Sequence, residues 1–301
     1  MALPKAPVAA GPGITISATA VPLDAQDPAK QAVGDFRYAG GLVLTSPDTA
    51  RLHGLSDMAV RGGDQLTAVS DEGDLLKARL VLDKAGRLTG LTDGKISPLV
   101  GLDGKVLLGK MEADSEGMAL MPNGDMLISF EQRHRIWLYP AKGGVPHVVP
   151  FPAANFPANS GMEALAPDPA AGPDAYVTAG EDSGETWTCK LSGGCTSGPL
   201  IDKPAEFGVV AVTRLSKDRT AWLLRAWDPV RGSRVTLTIR NKANAQIARL
   251  DLARPLTVDN FEALAAVPGK GDTIRFYLLS DDNFQSIQRT LLLAFDWTPS
   301  A

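Results

Sequence analysis

Short apolar runs separated by turns containing Gly, Pro or Asn recur along the chain, with the alternation expected of half-buried strands. They form a repeated unit: an acidic or small polar residue, an apolar strand, a turn, then a second apolar strand ending on a polar residue. One copy runs from Gly54 to Asp71, a second from Asp114 to Glu131, a third from Ser160 to Glu181, and a fourth from Asp259 to Asp281. A degenerate copy from Phe207 to Arg225 lies between the last two. The period is roughly 50 residues, the size of a multi-stranded propeller blade. Two outer strands follow several units, as at Arg135 to Tyr139 with Val145 to Val149, and at Arg234 to Ile239 with Ala245 to Leu250.

The pattern predicts an all-β fold, a β-propeller of five blades over residues 36–297, with residues 1–35 as an N-terminal extension. The last unit runs out of chain after Phe295, so Phe36 to Thr45 is expected to supply its missing outer strand and close the ring. A sixth blade is open if Ile14 to Ala18 and the region Asp93 to Gly109 contribute further strands. The competing reading is a β-sandwich with fortuitous turn spacing, which has no need for the same acid-plus-strand phrase to recur.

Equivalent positions in successive blades meet around a common axis, and this turns a repeat into a site. The first strand of each unit begins, and the second ends, on the same face. Asp57, Glu116, Glu163 and Glu262 are therefore expected in one ring, beside Asp71, Glu131, Glu181 and Asp281. The degenerate unit starts apolar and ends on Arg225. So many carboxylates around one funnel repel each other unless a cation sits among them. Oxygen ligands suit Ca²⁺, or Mg²⁺. The expected metal ligands are Glu116, Glu163 and Glu262, helped by Asp57 or Asp281. Glu131 or Glu181 is a candidate general base, and His53 a candidate proton shuttle. Arg225, Arg133, Arg289 and His134 are candidates for holding an anionic substrate. Each has an ordinary alternative: acids that cap turns or pair with those arginines, and loop histidines.

Composition narrows the partners. The net charge of −4 comes with no basic stripe, which argues against nucleic acid, and no apolar stretch is long enough for a membrane span. Familiar nucleophile, zinc-helix, phosphate-loop, dinucleotide and EF-hand motifs are missing. The two cysteines, Cys189 and Cys195, flank a turn-forming stretch and are either a local disulfide or two free thiols; a disulfide implies an oxidising compartment. The first residues lack a charged segment followed by an apolar one, so the protein is either cytoplasmic or exported with its signal outside this sequence; a periplasmic or secreted protein is the expectation.

These phrases resemble the phytase-like family, also described by the esterase-like activity of phytase. The matching stretches are Gly54 to Asp57, Asp114 to Gly117 with Pro122 to Gly124, Gly161 to Leu165, Asn260 to Leu264, and Ser280 to Phe284 with Gln288 to Thr290. The resemblance implies an exported propeller with hydrolytic activity on phosphoric or carboxylic esters. The Arg-His-Gly motif of the histidine acid phytases is absent, and the degenerate unit, which reads Phe207-Gly-Val-Val210, lacks the acidic start. The reading is a monomeric, calcium-dependent ester hydrolase acting on a small-molecule ester or phosphate at the channel mouth. A non-catalytic propeller that binds a ligand or protein through its acidic face is the alternative, and a lactonase a third.

Overall fold

The computed structural model describes residues 13–299. Almost every apolar run forms a strand, and the strands gather into five antiparallel sheets. Blade one contains Leu55–Arg61, Gln65–Ser70, Asp74–Leu82 and Leu88–Pro98. Blade two contains Ser115–Leu120, Met126–Phe130, Arg135–Tyr139 and His147–Val148; blade three contains Leu165–Pro167, Ala175–Ala179, Thr186–Lys190 and Cys195–Ser197. Blade four contains Gly208–Ser216, Arg219–Asp228, Gly232–Asn241 and Gln246–Leu252. Blade five starts with Asn260–Pro268, Ile274–Asp281 and Leu291–Trp297. The first strand of each blade packs beside the first strands of its two neighbours, so five inner strands enclose a channel.

As expected, Phe36–Thr45 completes blade five by pairing with Leu291–Trp297, tying the N-terminal region to the C-terminal strand. The extension takes a larger part than predicted. Ser17–Ala20 pairs with Phe36–Thr45, and Gly13–Ile14 pairs with the outer strand of blade one. Residues 13–35 are thus partly edge strands of two blades, while the first twelve residues of the predicted extension lie outside the described ones. No sixth sheet exists among the described residues: Asp93 to Pro98 belongs to blade one, and the following stretch is a turn bridged at Val100 and Val106.

Five apolar cores fill the five gaps between blades. Between blades four and five, Leu223, Leu237 and Ile239 meet Phe261, Phe276 and Leu293. The central strands are covered on both faces, which is why Leu291–Trp297 is buried throughout. Burial of these faces supplies the main stabilisation, about 25 cal/mol per Å² of apolar surface removed from water. Cys189 and Cys195 are cross-strand partners in blade three, with Cα atoms 4.0 Å apart, and they form a disulfide.

The third unit departs from the prediction. Residues 161–164 form no regular strand, and regular pairing begins only at Leu165. Gly117 explains how this segment is seated. A side chain there would collide with the Glu163 carbonyl oxygen, so glycine lets the two inner segments touch. Ser129 Oγ donates to the Met162 carbonyl at 2.6 Å and accepts from the Gly117 amide at 2.9 Å, joining blades two and three.

Candidate metal centre at the channel mouth

Every complete inner strand carries a bulge at its start. Pairing jumps from Leu55 to Asp57, from Ser115 to Gly117, from Val209 to Ala211 and from Phe261 to Ala263. The extra residues are Ser56, Glu116, Val210 and Glu262, and Glu163 holds the same place in blade three, between Gly161, whose carbonyl accepts from the Glu181 amide, and Ala164, whose carbonyl accepts from Ala179. A bulged residue is released from the ladder and re-aimed. Glu116, Glu163 and Glu262 therefore share one ring, as predicted, but the blade-one member is Ser56. Asp57 stands one residue further along, level with Gly117, Ala164, Ala211 and Ala263.

That shift gives Asp57 different surroundings. It is 2% exposed; its Oδ1 accepts from the Met58 amide and its Oδ2 from the Met118 amide of blade two, each at 2.7 Å. Burial pushes its pKa well up, while the amides of Met118, Met58 and Leu264 act the other way. These contacts tie blade one to its neighbours on both sides. Below this level the channel holds a space of about 220 Å³ lined by Met58, Met118, Leu165, Val212 and Leu264, together with Arg61, Thr213 and Arg214.

The second ring is in register as predicted. Asp71, Glu131, Glu181, Arg225 and Asp281 each follow the residue paired just before the bulge. Two cations stand among the acids. Arg225 Nη1 lies 2.8 Å from Glu262 Oε1 and from Asn260 Oδ1, and its Nη2 3.1 Å from Glu181 Oε1. Asn260 Nδ2 also donates to Glu262 Oε1 at 2.8 Å. Lys110, on the single turn of helix Lys110–Ala113 between blades one and two, reaches Asp71 Oδ2 and Asp114 Oδ1, both at 3.1 Å. Burial opposes both cations, yet the acids around them outweigh it and raise the pKa of each.

Five acids, of which Asp114 and Glu181 already meet these cations, form two trios whose oxygens approach within 4.8 Å: Asp114, Glu116 and Glu131, then Glu131, Glu163 and Glu181. Glu131 belongs to both, and the Gly161 amide donates to its Oε1 at 2.7 Å. Burial, then Asp114, raises the Glu131 pKa to about 7. Burial and the mutual proximity of Glu116 and Glu163 push the first well up; burial and Glu181 do the same for the second. Asp114 is 0% exposed, and its Oδ2 has no hydrogen-bond partner. An all-oxygen donor set with an orphaned buried carboxylate oxygen fits a hard divalent cation. Glu262 is committed to Arg225 and Asn260. Asp281 caps the Asn283 amide at 2.7 Å, and neither Asp57 nor Asp281 belongs to a trio.

The other predicted residues are spread around the rim. His134 Nε2 lies 2.8 Å from the Pro157 carbonyl and donates to it, while Nδ1 is buried without a partner. A side chain at Gly161 would meet both His134 Nδ1 and Glu131 Oε1, at 2.9 and 3.4 Å, so glycine keeps the space between them open. His53 is buried edge-on against Phe284, ring centroids 4.0 Å apart, and burial lowers its pKa. Arg133 pairs with Glu112 on the outer rim, and Arg289 with Asp259 at 3.2 Å beside blade five. Sequence reasoning missed Asp114 as a ligand, although an acid stands where other units carry Gly54 or Gly161. It also missed Lys110, which lies outside the repeat.

A family model described as "Phytase-like: Esterase-like activity of phytase" matches residues 50–284, most of the chain. The protein belongs to the phytase-like family. All the acids of both trios, and Lys110 and Arg225, lie within the matched span. No curated protein matches the chain in sequence. Among solved structures, it is similar to the PQQ-bound form of an aldose sugar dehydrogenase from Streptomyces coelicolor (15% identity, 81% of this chain and 95% of that one, TM-score 0.49). It is also similar to virginiamycin B lyase from Staphylococcus aureus (10% identity, 93% and 99%, TM-score 0.46) and to a streptogramin B lyase (9%, 96% and 88%, TM-score 0.44).

Proposed function

We propose that this phytase-like propeller is a divalent-cation-dependent hydrolase of phosphoric or carboxylic esters, with Ca²⁺ as the expected ion. The observation that carries the reading is the pair of carboxylate trios sharing Glu131 at one end of the channel. Asp114, Glu116 and Glu131, or Glu131, Glu163 and Glu181, would hold the ion, which when bound polarises an ester oxygen as a Lewis acid. The chain's own groups do the rest. Glu131, with a pKa near neutrality, takes a proton in the metal-free site and gives it up when it serves as a ligand to the ion. His134 Nδ1, facing the gap over Gly161, is a second proton acceptor, and His53 a more distant one. Arg225 holds Glu181 and Glu262 in place and balances their charge, so it is occupied as an anion clamp. The disulfide supports a periplasmic or secreted location, and a ring closed within one chain supports action as a monomer.

The test is hydrolysis of p-nitrophenyl phosphate, p-nitrophenyl acetate and a simple lactone, with Ca²⁺ and with chelator. Chelator-sensitive turnover that falls at least a hundredfold in the Glu116→Gln, Glu163→Gln double variant is expected, and the preferred compound separates esterase from lactonase. Turnover indifferent to both chelator and variant contradicts the reading. A binding module without catalysis is favoured by one observation: Lys110 and Arg225 already engage four of the acids. Calcium binding without turnover on any of the three compounds would select it.

A further inference from the structure

Blade four differs from the others above the mouth. In blades one to three the second strand stops within two residues of its ring acid, at Ser70, Phe130 and Ala179. In blade four it runs on past Arg225 to Asp228, and the hairpin returns at Gly232. The overhang carries Trp227, 64% exposed, whereas Trp137, Trp187, Trp222 and Trp297 are buried. Opposite stands the loop after Asp281, which carries Ile287, 84% exposed. Between them a cleft of about 540 Å³ opens, lined by Trp227, Ile287, Gln288 and three arginines, Arg225, Arg254 and Arg289. Arg225 and Asn260 line this cleft and also belong to the mouth, so the two spaces adjoin at these side chains.

The cleft has the opposite polarity to the mouth. Asp259 is the only acid lining it, and it is paired with Arg289. Arg225 is balanced by Glu181 and Glu262. Arg254 takes part in no ion pair among the described residues, and its guanidinium packs against the backbone at Gly232, at the tip of the overhang. A solvent-facing indole beside an unpaired guanidinium suits a flat ring that carries an anion: the ring face meets Trp227 and the anion meets Arg254. The volume is that of a small-molecule site.

We infer that the cleft between blades four and five is a binding subsite for a ring-bearing anion, and that it receives the part of the ester substrate remote from the acidic mouth. The second half rests on the hydrolase reading; the first does not. The probe is phenylphosphonate, whose carbon–phosphorus bond is not an ester, titrated in chelator while tryptophan fluorescence is followed. Trp227 is the exposed reporter. A saturable change is expected, at least tenfold weaker with inorganic phosphate, which lacks the ring, and at least tenfold weaker in Arg254→Ala, which keeps the reporter. In Trp227→Ala, calorimetry should show a similar loss. Arg254 and Trp227 are exposed, so these variants should fold, and far-UV circular dichroism checks this. No saturable change, or wild-type affinity in both variants, overturns the subsite. Phenylphosphonate binding together with no turnover of p-nitrophenyl phosphate, p-nitrophenyl acetate or the lactone in Ca²⁺ leaves the subsite standing and removes the hydrolase reading.

Discussion

Blades two and three and blade four place residues at the same two ring positions, yet build opposite environments. Blades two and three put Glu116 with Glu131 and Glu163 with Glu181 there. Blade four puts Val210, 1% exposed, with Arg225. One bulge geometry thus yields a region with too many carboxylates for its cations and, next to it, the cation that closes off the excess. The difference teaches that the mouth is graded. Glu262 and Glu181 are satisfied by Arg225, Asp71 by Lys110, and the unmet charge gathers on Glu131 and its neighbours.

The comparison breaks most severely if blade four loses its charge. Arg225→Gln leaves Glu181 and Glu262 buried without their cation, which costs about 3–5 kcal/mol for a disrupted buried pair. A large fall in the midpoint of denaturant unfolding is expected; an unchanged midpoint would mean that the acids find another partner. Asp57→Ala should cost less, about 1–3 kcal/mol, by orphaning the Met58 and Met118 amides. It should leave calcium binding intact, since Asp57 lies outside both trios, and loss of binding would return Asp57 to the metal site.

The smallest expected effect is on pH dependence. Glu131 and Asp71 both have pKa values raised to about 7, so the folded protein holds protons that the unfolded chain has released. Without metal, stability is therefore full near pH 4 and falls as pH rises toward 7 and just beyond. Thermal unfolding in chelator at pH 5 and pH 8 should show the lower midpoint at pH 8, and Glu131→Gln should flatten the trend. A midpoint that rises over this range would reverse the sign and contradict the burial assigned to these acids.

Much of this arrangement is legible in the sequence because every blade must solve the same problem. The central strands of each sheet are covered on both faces, and each sheet must begin on the same side of the axis, so the acid-plus-strand phrase returns each time. Glu116, Glu163, Glu262 and the second ring followed from that repetition. The place of Asp57 did not, because a bulge inserts one residue and the sequence does not mark which. Lys110 was hidden for another reason: it stands on a linker, where no repeat constrains it. Nor did the phrase reveal that Arg225 faces Glu181 and Glu262 from one position, which depends on how blades three, four and five converge.

Calcium titration at pH 8, read as the shift of the unfolding midpoint in wild type and Glu131→Gln, tests the central claim most directly. Binding to the folded state alone stabilises by about 2.7 kcal/mol at a hundredfold excess over the dissociation constant. The account predicts a rise of several degrees that grows with the logarithm of calcium concentration in the wild type, and its loss in Glu131→Gln, since that residue serves both trios. A wild-type protein whose midpoint ignores millimolar calcium, or a variant that responds as the wild type does, would contradict it.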